Sequence, residues 1–120
     1  MRDLVVASGY AVVFVNYTPS PEEQYPQWIN EIYAATKWVS EHGDENNVDG
    51  KNMAAVGNSV GGDMTTVLCM MAKDKGGPNI KLQILMWPVT DSDFGWSCSL
   101  TEFGEQRFLT ESIMKWMRNL

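Results

Sequence analysis

The seven residues VGNSVGG, Val56 to Gly62, set one serine among three glycines at the end of a short apolar run that begins at Met53. Three readings compete for that serine: a nucleophile, an anion cradle, or a tight turn in which it is idle. The flanks narrow the choice. Before it, Met53-Ala54-Ala55-Val56 follows the turn Asp49-Gly50-Lys51-Asn52 and reads as a short strand. After it, Val60, Met64, Val67, Leu68 and Met71 recur at the spacing of one helix face, which the Lys73 to Asn79 stretch closes with charge, glycine and proline.

Further out the same alternation continues. Leu4, Val5 and Ala7 before Gly9 predict the end of a helix, and the continuous run Tyr10 to Asn16 predicts a strand covered on both faces. Three prolines between Thr18 and Pro26 impose a loop. Trp28, Ile32, Ala35 and Val39 then mark a helix that Gly43 ends. Leu82 to Trp87 predicts a third strand, stopped by Pro88. Val89 to Phe108 has no strong period and reads as loop, and a last helix is expected behind Thr110 as its cap, with Leu109 stapled onto Met114. Helix and strand in alternation, without internal repeats, predict an α/β fold: a parallel sheet with flanking helices and right-handed crossovers, with the chemistry at the carboxyl ends of the strands.

Residues 1–120 are expected to form one domain, since a chain of this length supports a single core. The net charge of −6, with no cluster of Lys and Arg, excludes a nucleic-acid partner from the reading. The apolar run Ala11 to Val15 is far shorter than the roughly 20 residues a membrane span needs, and Met1-Arg2-Asp3 leads into no signal-like segment, so the expected location is the cytoplasm. Cys69 and Cys98 lack zinc or redox spacing and read as reduced, packed thiols; no metal or organic cofactor is implied.

Gly57-Asn58-Ser59-Val60-Gly61 satisfies Gly-x-Ser-x-Gly in the strand-turn-helix context that gives the pattern meaning. A sharp turn lifts the serine clear of the sheet, and glycines two positions away on either side let strand and helix close together. It also aims the Val60 N–H and the positive end of the following helix at the place where an oxyanion forms. A phosphate loop needs lysine after its last glycine; here Gly62 is followed by Asp63. The spacing does not give a dinucleotide fingerprint either. Ser59 is therefore the expected nucleophile and Val60 the expected backbone oxyanion donor, in an elbow of Gly57, Asn58, Gly61 and Gly62.

The chain resembles the hormone-sensitive-lipase-like esterases of the α/β-hydrolase superfamily, and five stretches carry the resemblance. VVFVNYTPSPEEQYP is similar to that family's strand, tyrosine and Pro-Glu loop, and INEIYAATKWVSEHG to its next helix. VGNSVGGDMT resembles its Gly-Asp-Ser-Ala-Gly-Gly elbow, LQILMWPVTD its following strand, and SLTEFGEQRFLTESIMKWM its entry to a lid-side helix. Asn58 stands where the family has Asp, and Thr18 where it has Arg. The resemblance also implies a His-Gly-Gly-Gly oxyanion loop upstream and a triad Asp and His downstream, none of which these 120 residues contain. The sequence is thus expected to be the middle of a hydrolase more than twice as long. In that fold a strand lies between this chain's first and second, so those two are expected to flank a gap.

His42, the one histidine, precedes Ser59 and belongs at the opposite end of the strand, roughly 17 Å from a hydroxyl that a base must approach to about 3 Å. It reads as a solvated helix-end residue. Asp91 and Asp93 lie beyond the third strand, but the family's triad Asp follows a later one. Glu22 and Glu23 match the Pro-Glu loop and are expected in structural hydrogen bonds; Trp87, Phe94, Trp96 and Phe103 either line an acyl or alcohol pocket or pack. The expected activity is carboxylic ester hydrolysis on small acyl esters, inactive in this chain alone. Its expected partners are the ester and either the rest of the hydrolase or a self-associated form. The alternatives are a small-ligand-binding relative, against which the retained serine and glycines argue, and a truncated remnant.

Overall fold

Isoleucines three residues apart on one helix, and Met64, Leu68 and Ala72 four apart on another, each make a stripe that can only be satisfied against a neighbour. The computed structural model describes residues 1–91, 93, 98–105 and 108–118, in two units, Met1–Pro88 and Val89–Leu120. In the first unit the order is α1 (Arg2–Ser8), α2 (Gln27–His42), a 3-10 turn (Gly43–Asn46), β1 (Met53–Asn58), α3 (Val60–Asp74) and β2 (Ile80–Met86). Ile29 and Ile32 of α2 are buried together with Met64 and Leu68 of α3, and Val15, Tyr17, Ala55 and Ile80 pack around them. Ile29, the most completely enclosed side chain at 2% exposure, is absent from the helix face drawn from the sequence, and Val60, which that reading put on the α3 face, is exposed.

The strands β1 and β2 are parallel, with Ala54 opposite Leu82, Val56 opposite Ile84 and Asn58 opposite Met86, and α3 connects them and packs on both. This is the α/β arrangement expected, a parallel sheet with flanking helices, two-stranded among the described residues. The expected first strand is a correction: Tyr10 to Asn16 forms no ladder. A strand exists only as a pairing of backbone N–H and C=O groups, and no described residue pairs with this segment. Val15 and Tyr17 pack against the core, while Tyr10, Val13 and Phe14 are exposed, Val13 at the rim of a hollow that Ala35, Trp38 and Val39 also line. Gly9 ends α1 in the left-handed conformation (φ 70°), its N–H donating to the Val5 carbonyl at 2.9 Å, as its place in the sequence predicts.

Two polar contacts fix the loop and the far end of the helices. Glu31 of α2 accepts the Thr18 N–H at 2.7 Å, the Thr18 hydroxyl at 3.2 Å and the Gln27 side-chain amide at 3.1 Å. Tyr33 donates its hydroxyl to the Gly77 carbonyl at 2.7 Å while the Lys75 ammonium sits 4.5 Å from the centre of its ring. The Thr18 N–H, followed by the Gln27 amide, holds the Glu31 carboxyl below its ordinary value of 4.5. A depressed folded-state pKa supplies stability above the unfolded value that is lost as pH falls through the folded one. Wild type is therefore expected to melt higher than Glu31→Gln at pH 7, and the gap to close as the pH is lowered well below 4.5. A gap in thermal melting that is unchanged between neutral and acid pH would contradict this.

In the second unit, α4 (Cys98–Phe103) occupies part of the stretch expected to be loop. Its six residues are too few to show a helical period in sequence. Gly104 closes it by donating to the Leu100 carbonyl at 2.7 Å, and α5 (Glu111–Arg118) begins with the Thr110 hydroxyl accepting the Ile113 N–H at 3.3 Å, the cap expected of Thr110. Among the described residues no helix is long and apolar enough to cross a membrane.

Candidate active site

At the carboxyl end of β1 the chain turns into α3 within one residue, Ser59. Its backbone angles are φ 54° and ψ −121°, a conformation that L-residues rarely adopt and that costs about 1–3 kcal/mol. Three hydrogen bonds hold it there. The Ser59 N–H donates to the Met86 carbonyl at 2.9 Å, tying the turn to β2, and the Ser59 carbonyl accepts the N–H groups of Gly62 at 2.8 Å and Asp63 at 3.3 Å. A serine at this position of a helix ordinarily uses its hydroxyl to cap an N–H of the first turn. Here no such side-chain bond is made among the described residues, and the hydroxyl stays half-exposed and uncommitted. The Val60 N–H is the first of α3, and the first N–H groups of a helix have no carbonyl partner within it.

The glycines divide the work unevenly. A Cβ on Gly57 would lie 1.8 Å from the Gly61 carbonyl oxygen and 2.5 Å from the Thr65 hydroxyl, so only a hydrogen fits between strand and helix. The buried Thr65 in turn donates to that same Gly61 oxygen at 2.8 Å. A Cβ on Gly61 would meet nothing within 4 Å, which corrects the expectation that both flanking glycines serve close approach: the contact uses the backbone carbonyl of Gly61 and the missing side chain of Gly57. Gly62 is filled from the other direction, its absent Cβ lying 3.0 Å from Cβ of Pro88. Asn58 ends β1 with an exposed side chain.

The remaining candidates lie elsewhere. His42 ends α2 with its ring stacked on Trp38, centroids 5.4 Å apart, and its Nδ1 2.9 Å from Glu45 Oε1, so its partners are those of a helix-end residue. Asp91 accepts the Asp93 N–H at 2.8 Å in a local turn. Glu22 and Glu23 are exposed, and the bonds at Glu23 involve its backbone, with the N–H given to the Pro19 carbonyl and the carbonyl accepting from Ser20. The carboxylate that anchors the loop is instead Glu31, whose signal in the sequence, an acid one helical turn after Gln27, is faint. Trp87 is exposed at the end of β2 and Phe103 is exposed on α4, while Phe94 and Trp96 lie outside the described residues. Burial pushes the Cys69 thiol up, which disfavours the reactive thiolate.

Ser59 thus stands at positive φ between a parallel strand and a helix, with Gly57 packed against the first turn of that helix. A family model described as the alpha/beta hydrolase fold matches residues 1–120. The chain belongs to the α/β-hydrolase superfamily, in its hormone-sensitive-lipase-like esterase family. It is similar to a solved thermostable esterase from Pseudomonas putida, at 52% identity and a TM-score of 0.94 over 98% of this chain and 37% of that one. Among curated proteins of Mycobacterium tuberculosis it is 40% identical to the esterase LipI over 89 residues (74% of this chain, 28% of the relative). To the carboxylesterase NlhH it is 35% identical over 113 residues, covering 94% of this chain and 35% of the relative. The chain thus spans about a third of the length of the curated relatives it matches.

Proposed function

We propose that these residues are the nucleophile-bearing part of a carboxylic ester hydrolase acting on small acyl esters. The observation that carries the reading is the strained turn at Ser59, whose hydroxyl is left out of the capping role its position invites. Relatives named as esterases and a carboxylesterase support it. In the reaction, Ser59 Oγ attacks the acyl carbon while its proton passes to a general base, and the carbonyl oxygen becomes an oxyanion held by the Val60 N–H at the positive end of α3. Collapse expels the alcohol, which takes the proton from the base and leaves an acyl-Ser59 ester. Water then repeats the sequence and releases the acid.

The base and the acid that orients it come from residues outside these 120, because His42 is engaged with Trp38 and Glu45. The partner of the chain is accordingly the remainder of the hydrolase, which also supplies the strand between Tyr10–Asn16 and β1. The test uses the full-length hydrolase that carries these residues, with p-nitrophenyl acetate as substrate and a fluorophosphonate probe. Ser59→Ala should lower kcat on the order of a thousandfold or more and abolish labelling, and the isolated 120 residues should label little. Hydrolysis and labelling that survive Ser59→Ala would refute the reading.

A further inference from the structure

Two threonines stand side by side in the second turn of α3, a branched residue type that helices tolerate less well than alanine or leucine. Each returns its hydroxyl to the carbonyl four residues back: Thr65 donates to Gly61 at 2.8 Å and Thr66 to Gly62 at 3.0 Å. The bond type is ordinary for helical threonine, since Thr36 donates in the same way to Ile32 in α2. What sets the pair apart is where the accepting peptides lead. The peptide whose carbonyl Thr65 holds also carries the Gly62 N–H, which donates to the Ser59 carbonyl at 2.8 Å. The peptide held by Thr66 carries the Asp63 N–H, which reaches that same carbonyl at 3.3 Å. The Ser59 carbonyl in turn belongs to the peptide that bears the Val60 N–H. Hydrogen bonds in series polarise one another, so a donor at one end strengthens the N–H at the other. Thr65 begins the tighter series and is buried at 6% exposure, where such bonds are stronger than in water. Gly57 makes the room for it, because a Cβ there would lie 2.5 Å from the Thr65 hydroxyl.

We infer that Thr65 is a positioning residue for the oxyanion: its hydroxyl orders and polarises the Gly61–Gly62 peptide, and through it the Ser59–Val60 peptide, so that the Val60 N–H is aligned before charge develops. Thr66 does the same through longer bonds and with less effect. This rests on the serine-hydrolase reading above. Neither threonine touches the ester; both act through backbone that the nucleophile shares.

The experiment measures kcat and KM for p-nitrophenyl acetate in the full-length hydrolase, together with inhibition by a trifluoromethyl ketone. The ketone carbonyl takes up the Ser59 oxygen to give a tetrahedral oxyanion while the proton passes to the general base, so its affinity reads the Val60 N–H directly. Thr65→Val, which keeps the shape and removes the hydroxyl, should lower kcat about three- to tenfold with KM unchanged and weaken the ketone by a similar factor. Thr66→Val should lose less. Thr65→Ser keeps the hydroxyl and gives up a packed methyl, so it should melt lower yet recover most of the rate and of the ketone affinity. Should valine at 65 prevent folding, Thr65→Ala against Thr65→Ser makes the same comparison. If serine loses as much rate as valine or alanine, or if ketone affinity is unchanged without the hydroxyl, Thr65 only packs and the inference fails alone. If hydrolysis and ketone inhibition persist in Ser59→Ala, the function itself falls and this inference with it.

Discussion

Gly57→Ala is expected to cost at least about 3 kcal/mol and to strip hydrogen-exchange protection from β1 and α3 together. The added carbon would sit 1.8 Å from the Gly61 oxygen and 2.2 Å from the carbon that bears it, both backbone atoms that cannot rotate aside. Relief requires moving the first turn of α3 off β1. That turn carries Ser59, so its 2.9 Å bond to Met86 and the buried Thr65 hydroxyl's bond to Gly61 would be lost in the same motion. Gly61→Ala is the matching control: the same chemical change four residues on meets nothing within 4 Å, and alanine is the better helix former by about 1 kcal/mol. Exchange measured across residues 53–74 should therefore separate the two variants. Equal protection in both would show that the strand and helix do not depend on the Gly57 contact.

The second large effect concerns the 120 residues on their own, which are expected to self-associate or melt without cooperativity. Parallel sheets are normally covered on both faces. In β2 the more apolar side, Leu82, Ile84 and Met86, is exposed, while alternate Gln83 and Leu85 belong to the other side. Val56 of β1 continues that exposed stripe opposite Ile84, and Tyr10 and Phe14 are exposed as well. Each strand also has an unpaired edge among the described residues, and apolar edges of this kind pair with other chains. Sedimentation should show concentration-dependent association, reversed by replacing Leu82 and Ile84 with lysine if the stripe drives it. A monodisperse monomer with a sharp melting transition would overturn the expectation.

How much was legible in the sequence varies with the range of the interaction. The order of strand, turn and helix around Ser59 was legible, because a serine between glycines after an apolar run is a local statement about one turn, and local sterics decide it. The helices α1, α2, α3 and α5 were legible, because period and caps such as Gly9 and Thr110 are short-range, whereas the six residues of α4 show no period. The run from Tyr10 to Asn16 departs from its expected strand in one respect: β-branched and aromatic residues declare a preference for extended backbone, and pairing is decided by what lies alongside. Ile29 escaped because its burial depends on which side of α2 meets Met64 and Leu68. Glu31 escaped because its partner Thr18 lies across a loop with three prolines. The division of roles between Gly57 and Gly61 depends on contacts between strand and helix that no single segment reveals.

The seat of Pro88 against Gly62 also has an evolutionary consequence. With 3.0 Å between Pro88 Cβ and the point where a side chain on Gly62 would begin, any side chain at position 62 obliges Pro88 to give way by a few tenths of an ångström. The two sites should then be inherited as a pair. A lineage that accepts a larger residue at position 62 must also shift the exit of β2, where Pro88 sits.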